Sequence, residues 1–188
     1  KMAPDLLPAV LQLGALLLAD GQRRKARRVV EEGWRTAPHP DLARLYRTVV
    51  DVEDPVARLR AMEKLAEIAP DARETHLALA RAALDAKLWG ETRRHLTEAA
   101  TSSDSAQGAE PDAAICRLHA ELEQSENGDA GAARDWLSRA ATAPPDPAWI
   151  CGECGAVARE WSALCGHCGT FDGLRWTTQH RVHALTPA

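Results

Sequence analysis

The chain has 188 residues, enough for one elongated domain or for a larger helical part with a small appendage. A single Tyr and a single Phe disfavour extended sheet, while abundant Ala, Leu, Arg and Glu favour helix. A formal net charge of −4 gives no electrostatic case for nucleic acid or an acidic surface as the main partner.

In chain order, the first signal is internal repetition. Residues 7 to 40 place Leu13-Gly14, Gly21, Ala26, Val30, Gly33 and Pro38 at the offsets of a tetratricopeptide repeat, a helical hairpin of about 34 residues. A degenerate second copy keeps Met62, Lys64-Leu65-Ala66 and Pro70. A third starts near Arg73 with Leu79-Ala80, Trp89, Leu96 and Ala99. The fourth, residues 114 to 147, restores Gly128, Ala133, Leu137, Ala140 and Pro145. Ala26, Val29, Val30, Gly33, Trp34 and Ala37 share one apolar helix face, as do Ala132, Ala133, Trp136, Leu137, Ala140 and Ala141. Small residues at the crossing points let paired helices approach closely, and stacked pairs share one core. Asp54-Pro55 and Asp146-Pro147 read as cap-then-proline helix starts, Pro40 and Pro111 suit a first turn, and Asp71 reads as a cap. The aperiodic stretch from Thr101 to Pro111 reads as a mobile loop between the third and fourth repeats.

The chemistry-bearing stretch runs from Trp149 to Trp176. Cys151 and Cys154 form one Cys-x-x-Cys pair, Cys165 and Cys168 another, each followed at once by a glycine. Two such turns bring four thiolates to the corners of a tetrahedron, the geometry of a closed metal site, and the trailing glycine permits the positive φ that the turn requires. The expected ion is zinc in a structural role, with iron as the alternative. A fully sulfur-coordinated ion has no open position, which argues against hydrolytic catalysis. Paired cysteines of this kind suit a reducing compartment better than a disulfide framework. Cys116, on a predicted helix, reads as a small buried hydrophobe. His167 reads as exposed rather than ligating, and His180 and His183 as tail residues. Trp149, Trp161, Phe171 and Trp176 are expected to supply most of this segment's apolar area, with Trp149 and Trp176 docking it onto the repeats. Arg159 and Arg175 are candidates to neutralise the anionic centre.

The run Arg23-Arg24-Lys25-Ala26-Arg27-Arg28 faces Glu31 and Glu32 at i,i+4 and reads as a solvated helix face, with anionic lipid as the other reading. By register, Arg47, Arg81, Leu118 and Leu122 are the expected partner contacts of a concave groove. Asn127 is the sole asparagine and is placed in a turn, so the asparagine-based clamp of chaperone-binding repeats is absent. No GxSxG, P-loop, HExxH or dinucleotide fingerprint occurs, and the expectation is a non-enzymatic protein. No apolar stretch reaches the roughly 18 to 20 residues that span a bilayer. No signal-peptide pattern opens the sequence, which is expected to be part of a longer chain.

Repeats followed by Asp146-Pro147-Ala148-Trp149-Ile150-Cys151, then Trp161-Ser162 before Cys165, and Phe171-Asp172-Gly173-Leu174-Arg175-Trp176, resemble the C-terminal part of HemY-type proteins of alphaproteobacteria. The architecture is also similar to LapB, whose repeats end in a rubredoxin-like metal knuckle, although this chain has fewer repeats. The resemblance implies a scaffold on the cytoplasmic face of the bacterial inner membrane, anchored by segments outside these residues and linked to late haem synthesis. From the LapB side it implies control of lipopolysaccharide synthesis, and a knuckle packed on the repeats with the four cysteines as ligands.

Together these readings predict an all-α array of about four tetratricopeptide hairpins over 1–147, and a rubredoxin-like or zinc-ribbon four-cysteine module over 148–177. A polar tail over 178–188 follows. The expected function is protein–protein scaffolding; haem or tetrapyrrole binding is the alternative. That alternative lacks a Cys-Pro dipeptide or a Cys-x-x-Cys-His motif to hold the porphyrin.

Overall fold

The computed structural model describes residues 6–102 and 111–178. It divides into two compact units, Lys1–Ala143 and Pro144–Ala188. The first is helical throughout its described residues: α1 (Leu7–Ala19), α2 (Arg23–Thr36), α3 (Pro40–Val50), α4 (Pro55–Ala66), α5 (Arg73–Asp85), α6 (Trp89–Thr101), α7 (Ala113–Asn127) and α8 (Ala130–Thr142). None of the helices among the described residues is long and apolar enough to cross a membrane.

Helices α1 and α2, α5 and α6, and α7 and α8 pack as hairpins, whereas α4 packs chiefly on α5 and only lightly on α3. The degenerate second repeat therefore lacks a tight hairpin. Gly33 shows why small residues sit at the crossings. A Cβ added there would lie 2.6 Å from a Val10 methyl and 3.3 Å from a Leu42 methyl, so α2 could not approach α1 and α3 as closely. One core gathers Val10, Val30, Trp34, Leu42, Tyr46, Met62 and Leu65 with Leu79, Ala82 and Ala83 of α5. A second gathers Ala80 and Leu84, again of α5, with Leu96, Ala99, Ile115, Leu118 and Leu122. Helix α5 thus belongs to both cores.

Asp54 caps α4 as its sequence implies, its carboxylate accepting from the Ala57 N–H at 2.7 Å, with Pro55 in the first turn. Pro40 likewise opens α3, where the buried His39 supplies the cap: its Nδ1 accepts from the Asp41 N–H at 3.1 Å. Four expectations are corrected. Ala72, not Asp71, is the N-cap of α5, with no side-chain cap bond. Pro111 precedes α7, whose cap is Asp112, its carboxylate accepting from the Ile115 N–H at 3.1 Å. Asn127 closes α7 instead of lying in a turn. Asp146-Pro147 opens a strand, because an extended residue before proline suits a strand start as well as a helix start. Cys116 is buried, as expected of a small hydrophobe. In α8 only Ala133 is buried and Leu137 is half-exposed, so its apolar stripe is only partly used. The central part of the expected loop, residues 103–110, lies outside the described residues, as do His180 and His183.

The second unit contains β1 (Pro147–Cys151), β2 (Val157–Ala158) and β3 (Leu174–Thr178). They form an antiparallel sheet in the order β2-β1-β3, with Trp149 opposite Ala158 on one side and Trp176 on the other.

Candidate metal centre

Strand β1 delivers Cys151 at its end, and the chain turns at once. The Gly155 N–H donates to the Cys151 carbonyl at 2.9 Å, and the Cys151 N–H donates to the Ala156 carbonyl at 2.9 Å. The second knuckle repeats this pattern: Gly169 donates to Cys165 at 2.9 Å and Cys165 donates to Thr170 at 2.9 Å. Gly155 and Gly169 have φ values of 71° and 75°, the left-handed region expected of the glycine after each pair. Backbone bonds from Gly152 N–H to Gly173 carbonyl (2.9 Å) and from Asp172 N–H to Ala163 carbonyl (2.8 Å) hold the two turns face to face.

All four Sγ atoms lie within 4.8 Å of one another. The cross-knuckle pairs Cys151–Cys168 and Cys154–Cys165 are each 3.7 Å apart. Sulfurs about 2.3 Å from a tetrahedral ion are about 3.8 Å apart along each edge, so the cysteines already stand where one ion would hold them. The donor set, four thiolates with no oxygen or imidazole, fits zinc or iron and not calcium or magnesium.

The electrostatics point the same way. The Thr170 hydroxyl, 3.2 Å from Cys168 Sγ, and the Thr170 N–H together bring that thiol down to about 6. Backbone N–H groups of Cys168 and His167 lower Cys165. At Cys154 the Ala156 N–H favours the thiolate, but desolvation and the three other cysteine sulfurs outweigh it and push the thiol up to about 12. The protein thus favours some thiolates in this cluster while their mutual repulsion resists the last one. A divalent cation removes that conflict. Thr170 was not among the residues singled out from sequence, since a Thr two positions past a cysteine pair carries no distinctive pattern.

Trp149 and Trp176, named as docking residues, meet each other edge to face across β1 and β3, ring centroids 5.4 Å apart. Trp149 is buried and Trp176 half-buried. Phe171, expected among the apolar filling, is instead 75% exposed, and its backbone forms an isolated antiparallel bridge with Leu164. Arg175 donates to the Asp172 carbonyl at 2.7 Å, and both Arg159 and His167 are exposed.

The expected groove residues separate. Arg47, Arg81 and Leu118 line one cavity of about 530 Å³ between α3, α5 and α7, together with Arg44, Arg117 and Leu77. Leu122 does not: it is fully buried in the second core, because α7 turns that position towards α5 and α6. Arg47 pairs with Asp85 at 3.0 Å, and Arg81 binds both carboxylate oxygens of Glu121, one of them at 2.9 Å.

No family model matches the chain. It is similar to a probable magnetosome protein, Mms48, of Magnetospirillum gryphiswaldense, at 34% identity over 99% of this chain. The chain spans only 41% of that relative's length.

Proposed function

We propose that this chain is a non-enzymatic scaffold: a helical hairpin array of tetratricopeptide type that binds a partner segment in its groove, followed in sequence by a module folded around a structural zinc. The observation that carries the reading is the lining of the groove. Arg44, Arg47, Arg81 and Arg117 surround an apolar floor of Met62, Leu77, Ala78 and Leu118, and Glu74 also lines the cavity. Such a surface suits a peptide whose carboxylates flank apolar anchors. Several of the arginines already hold carboxylates of this chain, so a partner would exchange one set of ion pairs for another and draw its affinity mainly from apolar burial. A closed four-sulfur shell supports a structural role for the ion, because it leaves no position for substrate.

Two settings supply partners to test. The likeness of residues 146–176 to HemY-type proteins directs attention to enzymes of late haem synthesis at the inner membrane. The name of the 34% identical relative directs it to magnetosome proteins, in a host that makes magnetosomes. Neither setting is needed for the first experiment. Panning a displayed random-peptide library against the zinc-loaded chain should select acidic–apolar sequences. Their binding should weaken at least tenfold in an Arg44→Glu/Arg117→Glu variant and stay unchanged in Arg35→Glu, a charge reversal on an exposed face of α2. Peptides that bind the double variant as well as the wild type would place recognition elsewhere.

A further inference from the structure

Helices α5 and α6 bring together three side chains that neither the cysteine cluster nor the groove uses. His76 lies on α5, and His95 and Glu98 lie on α6 at i,i+3, on one face of that helix. The two imidazole Nδ1 atoms are 3.3 Å apart. One oxygen of Glu98 is 3.2 Å from Nδ1 of His76 and 3.1 Å from Nδ1 of His95. The His95 side chain is 8% exposed, His76 16% and Glu98 37%, so the cluster is walled by protein on the histidine side and open to water on the carboxylate side.

The three atoms form a nearly equilateral triangle. Nitrogen and oxygen ligands about 2.0–2.1 Å from a tetrahedral ion are about 3.3–3.4 Å from one another, which is the size of this triangle. Hydrogen bonding serves only part of it. Arg94 beside Nε2 leaves His95 with its proton on Nδ1, which donates to Glu98 or to His76 Nδ1. A second proton on His76 Nδ1 would crowd the first at 3.3 Å, and without one two acceptors face each other. One cation in place of the proton serves all three atoms at once.

We propose that His76 Nδ1, His95 Nδ1 and the Glu98 carboxylate bind one divalent transition-metal ion, with solvent completing its shell. Two imidazoles and a carboxylate select ions such as zinc or iron(II) over calcium and magnesium, which take oxygen ligands. Helical bundles build inward-facing sites from His and Glu at i,i+3 on one helix and a ligand from its neighbour. Arg94 sets the terms of entry. One of its guanidinium nitrogens lies 3.0 Å from His95 Nε2, and the same group pairs with Glu91 at 2.6 Å and Glu98 at 3.1 Å. Metal at Nδ1 moves the His95 proton to Nε2, so Arg94 must release the ring and rest on Glu91. Its positive charge opposes the ion, and neutralising it tightens binding.

Titration of the full chain with cobalt(II) alone tests this. Wild type should take two ions, one giving intense thiolate charge-transfer absorption and one giving only weak visible bands. His76→Ala and Glu98→Gln should each weaken the second ion at least tenfold and leave the thiolate bands unchanged. The near-isosteric Glu98→Gln keeps the test valid if His76→Ala loosens the hairpin. Arg94→Gln should strengthen the second ion, and Cys151→Ser/Cys154→Ser should lose the first ion while retaining the second. A wild-type stoichiometry of one, a second ion indifferent to both ligand variants, or weaker binding in Arg94→Gln would overturn the proposal.

Discussion

The helical array and the cysteine module hold their folds by different means. In the array, large side chains such as Trp34, Tyr46, Leu42, Met62, Leu96 and Leu122 are wholly or almost wholly buried, and the two cores share α5. Among the described residues of the module, the buried side chains are Trp149, Cys151, Cys165 and Leu174, and two of those belong to the cysteine cluster. Burying an apolar side chain contributes about 1.5–3 kcal/mol, against about 1–2 kcal/mol to fix each residue's backbone, so this core offsets far less of the module's chain entropy than the array's cores offset of theirs. Packing offsets chain entropy in the array, on the proposed reading coordination does so in the module, and each should fail to a different insult.

The largest effect should come from the sulfurs. Cys151→Ser or Cys165→Ser removes one of the four proposed ligands, and in small metal-dependent domains a structural zinc contributes on the order of 10 kcal/mol of folding free energy. Metal content should fall to near zero and the tryptophan signal of the module should collapse, while far-ultraviolet circular dichroism keeps most of its helical signal. Stoichiometric metal in either variant would show that the ligand set is wrong. Trp34→Ala is the converse, opening a cavity in the first core and costing the array about 3–5 kcal/mol. Urea unfolding followed by helical dichroism should report that loss with the metal retained, and an unchanged midpoint would contradict the packing described for α2.

A smaller effect should divide the regions by pH. Burial drives His39 from 6.5 down to about 4, opposed by the Asp41 carboxylate and reinforced by Arg44, and its Nδ1 must stay unprotonated to cap α3. The folded state therefore binds this proton less readily than the unfolded state. Stability is full above about pH 6.5 and declines as pH falls towards 4, by at most about 3 kcal/mol. His119, also lowered chiefly by burial, acts in the same direction. Comparing urea midpoints at pH 7 and pH 5 in wild type and His39→Asn isolates the His39 share, and an identical drop in both would assign the dependence to other groups.

Residues that work through local spacing were legible in the sequence. The cysteine pairs with their glycines, the Asp54 cap and the apolar face of α2 all declare themselves within a few positions. Asp146-Pro147 misled because the same dipeptide starts helices and strands, and only the sheet pairing of β1 decides between them. Leu122 misled because register along α7 does not say which neighbour each face meets. His76 and His95 carry no signal of proximity, being on separate helices whose packing alone brings their rings together. Thr170 is similar, a residue whose effect on Cys168 needs the turn to be folded first.

The cysteine shell also has an inside and an outside. Cys151 and Cys165 are buried, and Cys154 and Cys168 face solvent, one from each knuckle. Ligand exchange at an ion held there would therefore be directional. A chelator or oxidant meets Cys154 and Cys168 first, while the inner pair keeps its grip. Because each knuckle gives one inner and one outer sulfur, an oxidative event at that edge removes an outer contact and leaves the inner pair bridging the two turns. On the proposed reading, the lifetime of a bound ion would be set by two solvent-facing sulfurs rather than by the average strength of all four.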